Sequence, residues 1–558
     1  MNRRASLLFA GAAVAAATAC GSSAAPATSN EQGASRLVTT AKHPDIGYAI
    51  AHGTDLGPLP PSTLLQLTLG LRGRDPQGLD ALLASGKHVT PAEYARRFAP
   101  DAGVVGDAEH VLQQAGITAR WEGGDTMSAH GSVAAVDALL AVRIDNRVGP
   151  DGVRFYAPQH DPPVPESLAT AVNSVSGLTK YPRASAADIP SPKGISPSDA
   201  LTFYDIDPLR SAGLDGTGIT VAFVEIDEFD PAMLDRYRER FHISAPFNVQ
   251  VATRTAGRPM TEQGEADLDL EIVHAIAPGA KEVVYYAAAD QVPTAEAQMY
   301  HDFPNGAIES KSVGGCEAPG SQNANDAKTL GDLQRAASAK GWSIFVASGD
   351  RGAFDCAPDG DFNDVAADLD GGIPYITSVG GTLAFLATNS SYYKEAAWGE
   401  PIEQWGSGGG LSEYWAAPSW QQGPGVQNQY SNGSRETPDV SADADRQSGW
   451  DIFLQGGEHK VGGTSAAAPL WAACMALIDQ DLTQKHLPLA GFANPALYTF
   501  AQNPAGIPVP GPYHDITTGT NLNYPATPGY DLATGLGSPD IGALTTDFEW
   551  YERNHAAG

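Results

Sequence analysis

Three short segments of this 558-residue chain carry side chains able to attack a carbonyl carbon or move a proton. The first is GGTSAAAP, Gly462 to Pro469, where Ser465 sits among residues small enough to let the backbone turn sharply and a substrate approach. The helical run LWAACMALIDQDL follows at once, and a helix N-terminus favours developing negative charge. Taken alone, a serine in such a setting is an ordinary helix cap. To act as a nucleophile it needs a base. Histidine is the usual one, yet the HGT triplet His52–Thr54 reads as a loop near the start of the chain, and His274 reads as a packed or solvated residue after a run of acids. A Ser-His-Asp arrangement therefore lacks its histidine.

Carboxylates supply an alternative in GEADLDLEIVHAIAPG, Gly264 to Gly279. On a helix Glu265 and Asp269 share one face, about 40° apart, while Asp267 and Glu271 point the other way. Two like charges at that spacing repel, so the segment is either a solvated N-terminal turn or a pair sharing a proton. The third segment is SGD, Ser348 to Asp350, at the end of the apolar run WSIFVA. Strand C-termini are where sites gather in a parallel sheet, and a carboxylic acid kept protonated there could donate to an oxyanion; otherwise Asp350 is a turn residue.

Elements must hold these groups together. Beyond residue 198 the strand-like runs ITVAFVEI, KEVVYYAA, WSIFVASG and YITSVGG alternate with helical stretches such as DAKTLGDLQRAASAKG, which argues for a doubly wound, mainly parallel α/β sheet. Upstream, STLLQLTLGLRGRDPQGLDALLAS reads as strand then helix, VTPAEYARRFAP as a helix starting after Thr90, DAEHVLQQAGI as a helix, and MSAHGSVAAVDALLAV as a turn leading into another. Residues 43–184 thus form a small α+β domain without a catalytic constellation. The Pro-, Ser- and Ala-rich stretch KYPRASAADIPSPKGISPS stays extended and open to proteases, giving a linker at 185–198 and a second domain at 199–558.

With 65 acidic against 34 basic side chains the formal charge is −31, which excludes nucleic acid and anionic membrane surfaces as expected partners. Arg3, Arg4, the apolar stretch Leu7–Ala17 and the small residues before Cys20 mark residues 1–19 as an export signal, and 20–42 as a flexible polar tether. Lipid attachment at Cys20 and simple cleavage are both open. No later run reaches the ~20 apolar residues of a membrane span, so secretion or display at the cell's outer face, as a monomer, is expected. In that oxidising setting Cys316 and Cys356 are a candidate disulfide, the alternative being two thiols, and Cys474 reads as a core residue.

In the order GEADLD, SGD, GTSAAAP, and through PYITSVGGT, WGSGGGLSEYW, ETPDVSADAD and TGLGSPD, the chain resembles the sedolisin or serine-carboxyl peptidase family, kumamolisin-like, from about Ser191 onward. The resemblance implies a subtilisin-like fold preceded by a ferredoxin-like activation prodomain acting as intramolecular inhibitor, and cleavage of protein or peptide substrates at acid pH. It implies Ser465 as nucleophile, Glu265 as general base and acid, Asp269 as its proton-sharing partner and Asp350 as oxyanion donor. Ala466 stands where subtilisins have Met, which favours the carboxylate version. The resemblance also implies one calcium ion held by the Asp515 and Asp531 side chains and the Ile516, Thr527 and Gly529 carbonyls, with Thr527 where the family has Gly. One departure is Ser312-Val313-Gly314 where the family reads SWG, which removes an indole donor between Glu225 and the base. A silent peptide-binding lipoprotein and a His-dependent subtilisin-like protease are the rival readings.

Overall fold

The strand runs of the second half alternate apolar side chains to both faces, and the chain responds by covering both. In the computed structural model, residues 49–50, 52–149, 152–180, 184–185, 194–252, 256–257, 259, 264–317, 324–356, 364–402, 404–454 and 456–555 are described. The expected export signal, the tether, Cys20 and most of the linker lie outside these residues. Eight strands form the central sheet, in the order Val249–Val251, Lys281–Tyr286, Thr220–Glu225, Ile308–Lys311, Ser343–Ala347, Thr377–Leu386, with Tyr392–Ala397 and Val440–Asp443 both paired to the last. Every pairing is parallel except that of Tyr392–Ala397. Val221, Phe223, Ile308 and Phe345 pack toward the helices Glu265–Ile276 and Thr464–Gln484. Their strand neighbours Ala222, Val224, Ile344 and Val346 pack toward the helices Val292–Asp302 and Ala324–Ala339. Two-sided burial is why these strands read as continuous apolar runs.

The N-terminal region has its own core of Leu65, Leu67, Leu69, Val105, Leu112, Met127, Val133 and Val136. Its four-stranded antiparallel sheet runs Thr118–Arg120, Thr126–Ser132, Leu64–Leu71, Val172–Ser176, the order of a ferredoxin-like split β-α-β fold. Thr90 caps its helix by accepting from Glu93 N at 3.2 Å, as the motif requires. The segment MSAHGS is a strand rather than the expected turn: Met127, Ala129 and Gly131 alternate inward with period two, and Ser132 then caps the following helix.

This region sits on the helix Ala324–Ala339. Ser174 Oγ and Thr329 Oγ1 share a hydrogen bond of 2.7 Å, Asn173 donates to Asp332 at 2.9 Å, and the Ser176 hydroxyl donates to Asp326. Ion pairs link Arg335 to Asp80 and Lys340 to Asp125. Further along, Ala184–Ser185 pairs antiparallel with Val313–Gly314, at the exit of a central strand.

Candidate active site

Parallel strands deliver their C-termini to one edge of the sheet. On three adjacent strands that edge carries Glu225 as a last residue, Ser312 one residue beyond Lys311, and Asp350 three beyond Ala347. The helix bearing Ser465 begins at Thr464, earlier than the sequence run implies, so Ser465 lies in its first turn and Pro469 inside it. Gly463 has φ +124°, and a side chain at Gly462 would meet the Ala444 carbonyl at 2.4 Å, which accounts for the glycine pair. Pro469 has no N–H to give the Ser465 carbonyl four residues back. The Ser312 hydroxyl lies within hydrogen-bond distance of that carbonyl, at 3.3 Å, and of Asp269, 2.8 Å from Oδ1 and 3.0 Å from Oδ2. One hydroxyl thus lies between the Ser465 backbone and Asp269.

The helix Glu265–Ile276 is buried along its whole length, so its acids are no solvated turn. Asp267 accepts from Asp230 N at 2.9 Å and Glu271 from Phe453 N at 2.7 Å, on faces other than that of Glu265 and Asp269. Burial, then the neighbouring Glu265 charge, holds the Asp269 carboxyl well above the usual range, against the hydrogen bond from Ser312. Glu225 is raised too, by burial and then by the Asp269 charge. It thus acts on the pair through its charge, while Val313, standing where the resemblance places an indole, packs in the apolar core. Asp227 was not foreseen: its carboxylate accepts from Gly264 N at 3.0 Å, Glu265 N at 3.3 Å and Ala266 N at 3.2 Å. Its signal was an acid two residues past a strand end in VEID.

Asp350 is buried and pushed up to about 6, while the Thr464 backbone amide at 2.7 Å and hydroxyl at 2.8 Å bond to its Oδ1 and oppose the rise. Among the described residues Asp350 Oδ2 and Ser465 Oγ are buried without a hydrogen-bond partner. His274 faces elsewhere: its ring stacks on Phe247, Nε2 lies 3.1 Å from the Ala245 carbonyl and Nδ1 3.6 Å from Glu282. His52 is exposed. A disulfide joins Cys316 to Cys356, tying the segment after Ser312 to that after Asp350; by loop-closure entropy it is worth ~4 kcal/mol for its separation of 40 residues. Cys474 is buried and unbridged, as expected.

The five residues expected around calcium lie on two neighbouring loops. Asp515 accepts from Gly529 N at 3.0 Å, and Asp531 from Thr527 N at 2.9 Å, so both carboxylates flank one turn, with Ile516 next to Asp515. Gly529 has φ +78°, whereas Thr527 is not among the residues of positive φ, so its side chain costs no backbone strain. The two carboxylates, on adjacent loops, are of the hard oxygen type this ion takes.

A subtilisin-like sheet on which the helix of Ser465 packs against a helix of acids, with His274 facing elsewhere, is the setting of a serine-carboxyl peptidase. Residues 51–181 match the family model "Pro-kumamolisin, activation domain". Over 481 residues the chain is 32% identical to kumamolisin from Bacillus sp. (strain MN-32), covering 80% of each. It is 28% identical to sedolisin from Pseudomonas sp. (strain 101) over 467 residues, covering 75% of this chain and 74% of that one. The solved Pseudomonas sedolisin, a serine-carboxyl proteinase in complex with pseudo-iodotyrostatin, superposes with TM-score 0.54 at 27% identity, over 65% of this chain and 99% of that one. The chain belongs to the sedolisin family, as a hydrolase made with an N-terminal activation domain.

Proposed function

We propose that this peptidase is acid-active, with Ser465 as nucleophile, Glu265 as general base and acid, Asp269 as its proton-sharing partner and Asp350 as oxyanion donor. The observation that carries the reading is the Ser312 hydroxyl held between the Asp269 carboxylate and the Ser465 carbonyl, with Asp350 bonded to the adjacent Thr464. Glu265 takes the Ser465 proton as Oγ attacks the peptide carbonyl, and neutral Asp350 donates to the oxyanion. The proton passes to the leaving amine, and water attacks the acyl-enzyme with Glu265 again as base. Both acids work only with a proton in the right place, so activity belongs to acid and fades toward neutrality.

Residues 43–184 act as the inhibitory prodomain, and the segment at Ala184–Ser185, paired with Val313–Gly314, runs where an extended substrate would add a strand. Maturation cuts within 185–198. The mature protease, residues 199–558, acts outside the cell as a monomer. Residues 1–19 direct export, 20–42 form a tether, and Cys20 is a candidate lipid anchor. One calcium ion at Asp515, Ile516, Thr527, Gly529 and Asp531 would supply charge that holds the two loops together.

The deciding experiment is the pH profile of peptide cleavage by wild type beside Ser465→Ala. Cleavage rising in acid and abolished by the substitution is expected. A maximum near pH 8, or self-processing that survives in Ser465→Ala, refutes the reading. Loss of activity in His274→Ala that is not explained by unfolding would favour the histidine-dependent alternative.

A further inference from the structure

We propose that Asp227 is a positioning residue for this reaction: from the end of the strand that carries Glu225, its carboxylate fixes the first turn of the acid helix and with it Glu265. The proposal rests on Glu265 being the base.

A helix usually begins with a capping side chain of its own. Here the N-cap is Gly264, at φ +108°, which has none to offer. The three successive amides of Gly264, Glu265 and Ala266 instead converge on both oxygens of Asp227, thirty-seven to thirty-nine residues earlier in the chain. A local cap would secure the helix start but leave the helix free to slide against the sheet. A carboxylate rooted in the sheet secures both, since Asp227 lies two residues past Glu225 and is itself 1% exposed. Glu265 is the first residue of that helix, so its backbone is one of the three groups held. Displacements of about 1 Å at a reacting group can cost on the order of a hundredfold in rate, which gives such an anchor catalytic weight.

The same carboxylate belongs to a cluster of acids. Around it stand Glu225 and Glu228 on its own segment, Glu265, Asp267 and Asp269 on the acid helix, and Tyr286 on the adjacent strand. Its charge contributes to the raised positions of Glu225 and Asp269, and so helps keep a proton between them. Asparagine in its place keeps the size, removes the charge and loses one amide acceptor.

The test uses the full chain, matured in acid. In Asp227→Asn, kcat should fall about tenfold with KM within about threefold, because the group held acts in the transition state. The alkaline limb should move to lower pH by roughly half a unit to one unit, since neighbours relieved of a negative charge release their proton earlier. Thermal unfolding across pH, in a Ser465→Ala background, supplies a readout that needs no catalysis. Acids with raised folded pKa give stability that is lost as pH rises through that value, so Asp227→Asn should lose less stability than its parent as pH rises above the ordinary carboxylate range. Wild-type kcat in Asp227→Asn, or an activity loss that only tracks unfolding while the pH limb stays put, overturns the proposal. If wild type cleaves nothing at any pH, the peptidase reading fails by itself, and an unchanged pH dependence of unfolding in the Asp227→Asn pair would still overturn the coupling.

Discussion

Replacing Asp350 separates a donor from an ordinary turn residue. Its Oδ1 accepts from the Thr464 amide at 2.7 Å and hydroxyl at 2.8 Å, which leaves the proton for Oδ2, the buried oxygen without a protein partner among the described residues. Burial pushes the carboxyl up to about 6 from 3.8. Below that value the acid is neutral and donates; two units above it only about one molecule in a hundred can, so kcat/KM should fall about tenfold per unit once pH exceeds 6. Asp350→Ala removes the donor at every pH and should lower kcat by 10²–10³, about 3–4 kcal/mol, with KM little changed. Asp350→Asn keeps a carbonyl for Thr464 and offers an N–H where the proton was, so it should lose less than alanine and show a shallower alkaline limb. The assay is kcat and KM of the matured enzyme on a quenched fluorescent peptide from pH about 3 to 8. The same shift sets a stability trend. A folded pKa raised above the unfolded one gives stability complete below 3.8 and lost as pH climbs through about 6, some 3 kcal/mol in all, which Asp350→Asn should flatten. A wild-type rate that stays level through pH 8, or equal losses and parallel limbs in the two variants, would refute the donor role.

Other expectations follow from single contacts. Ser312→Ala removes a hydrogen bond that favours ionised Asp269, so its pKa should climb further; kcat should drop roughly tenfold and the alkaline limb move to higher pH, read from the same profiles. Chelating divalent cations should lower the unfolding temperature by several degrees, about 1–2 kcal/mol at this size, and Asp531→Ala should abolish the response in calorimetry. Lys340→Met breaks the ion pair with Asp125 between prodomain and helix Ala324–Ala339; worth ~1 kcal/mol, its loss should let processing begin a few tenths of a pH unit higher, followed by gel. Asp161, pushed up to about 6 by burial beside Asn325, works the other way: acid favours its docked form, so Asp161→Asn should be processed with a steeper dependence on acid.

Much of the fold is written in local pattern. Two-sided burial forces continuous apolar strands, so ITVAFVEI, KEVVYYAA and WSIFVA are legible as a parallel sheet, and Thr90 with Glu93 announces a helix because both partners of the cap are three residues apart. MSAHGS misled, since its alternating residues are small and its histidine and serines look like turn formers. Glu265, Asp269, Asp350 and Ser465 are singled out by type and motif, and the repulsion of two acids one turn apart is a local fact that needs no coordinates. Whether those acids are solvated or share a proton is not local. Burial of the entire helix excludes the solvated turn, through contacts with residues as distant as Phe453. Ser312 and Asp227 belong wholly to that second kind: a hydroxyl becomes a bridge to Ser465 only because Pro469 withholds an amide, and an aspartate becomes a cap only because the sheet carries it to a helix start that has no side chain of its own. Hydrogen bonds act over about 3 Å whatever the separation along the chain, so sequence names the candidate groups and tertiary structure alone chooses their neighbours.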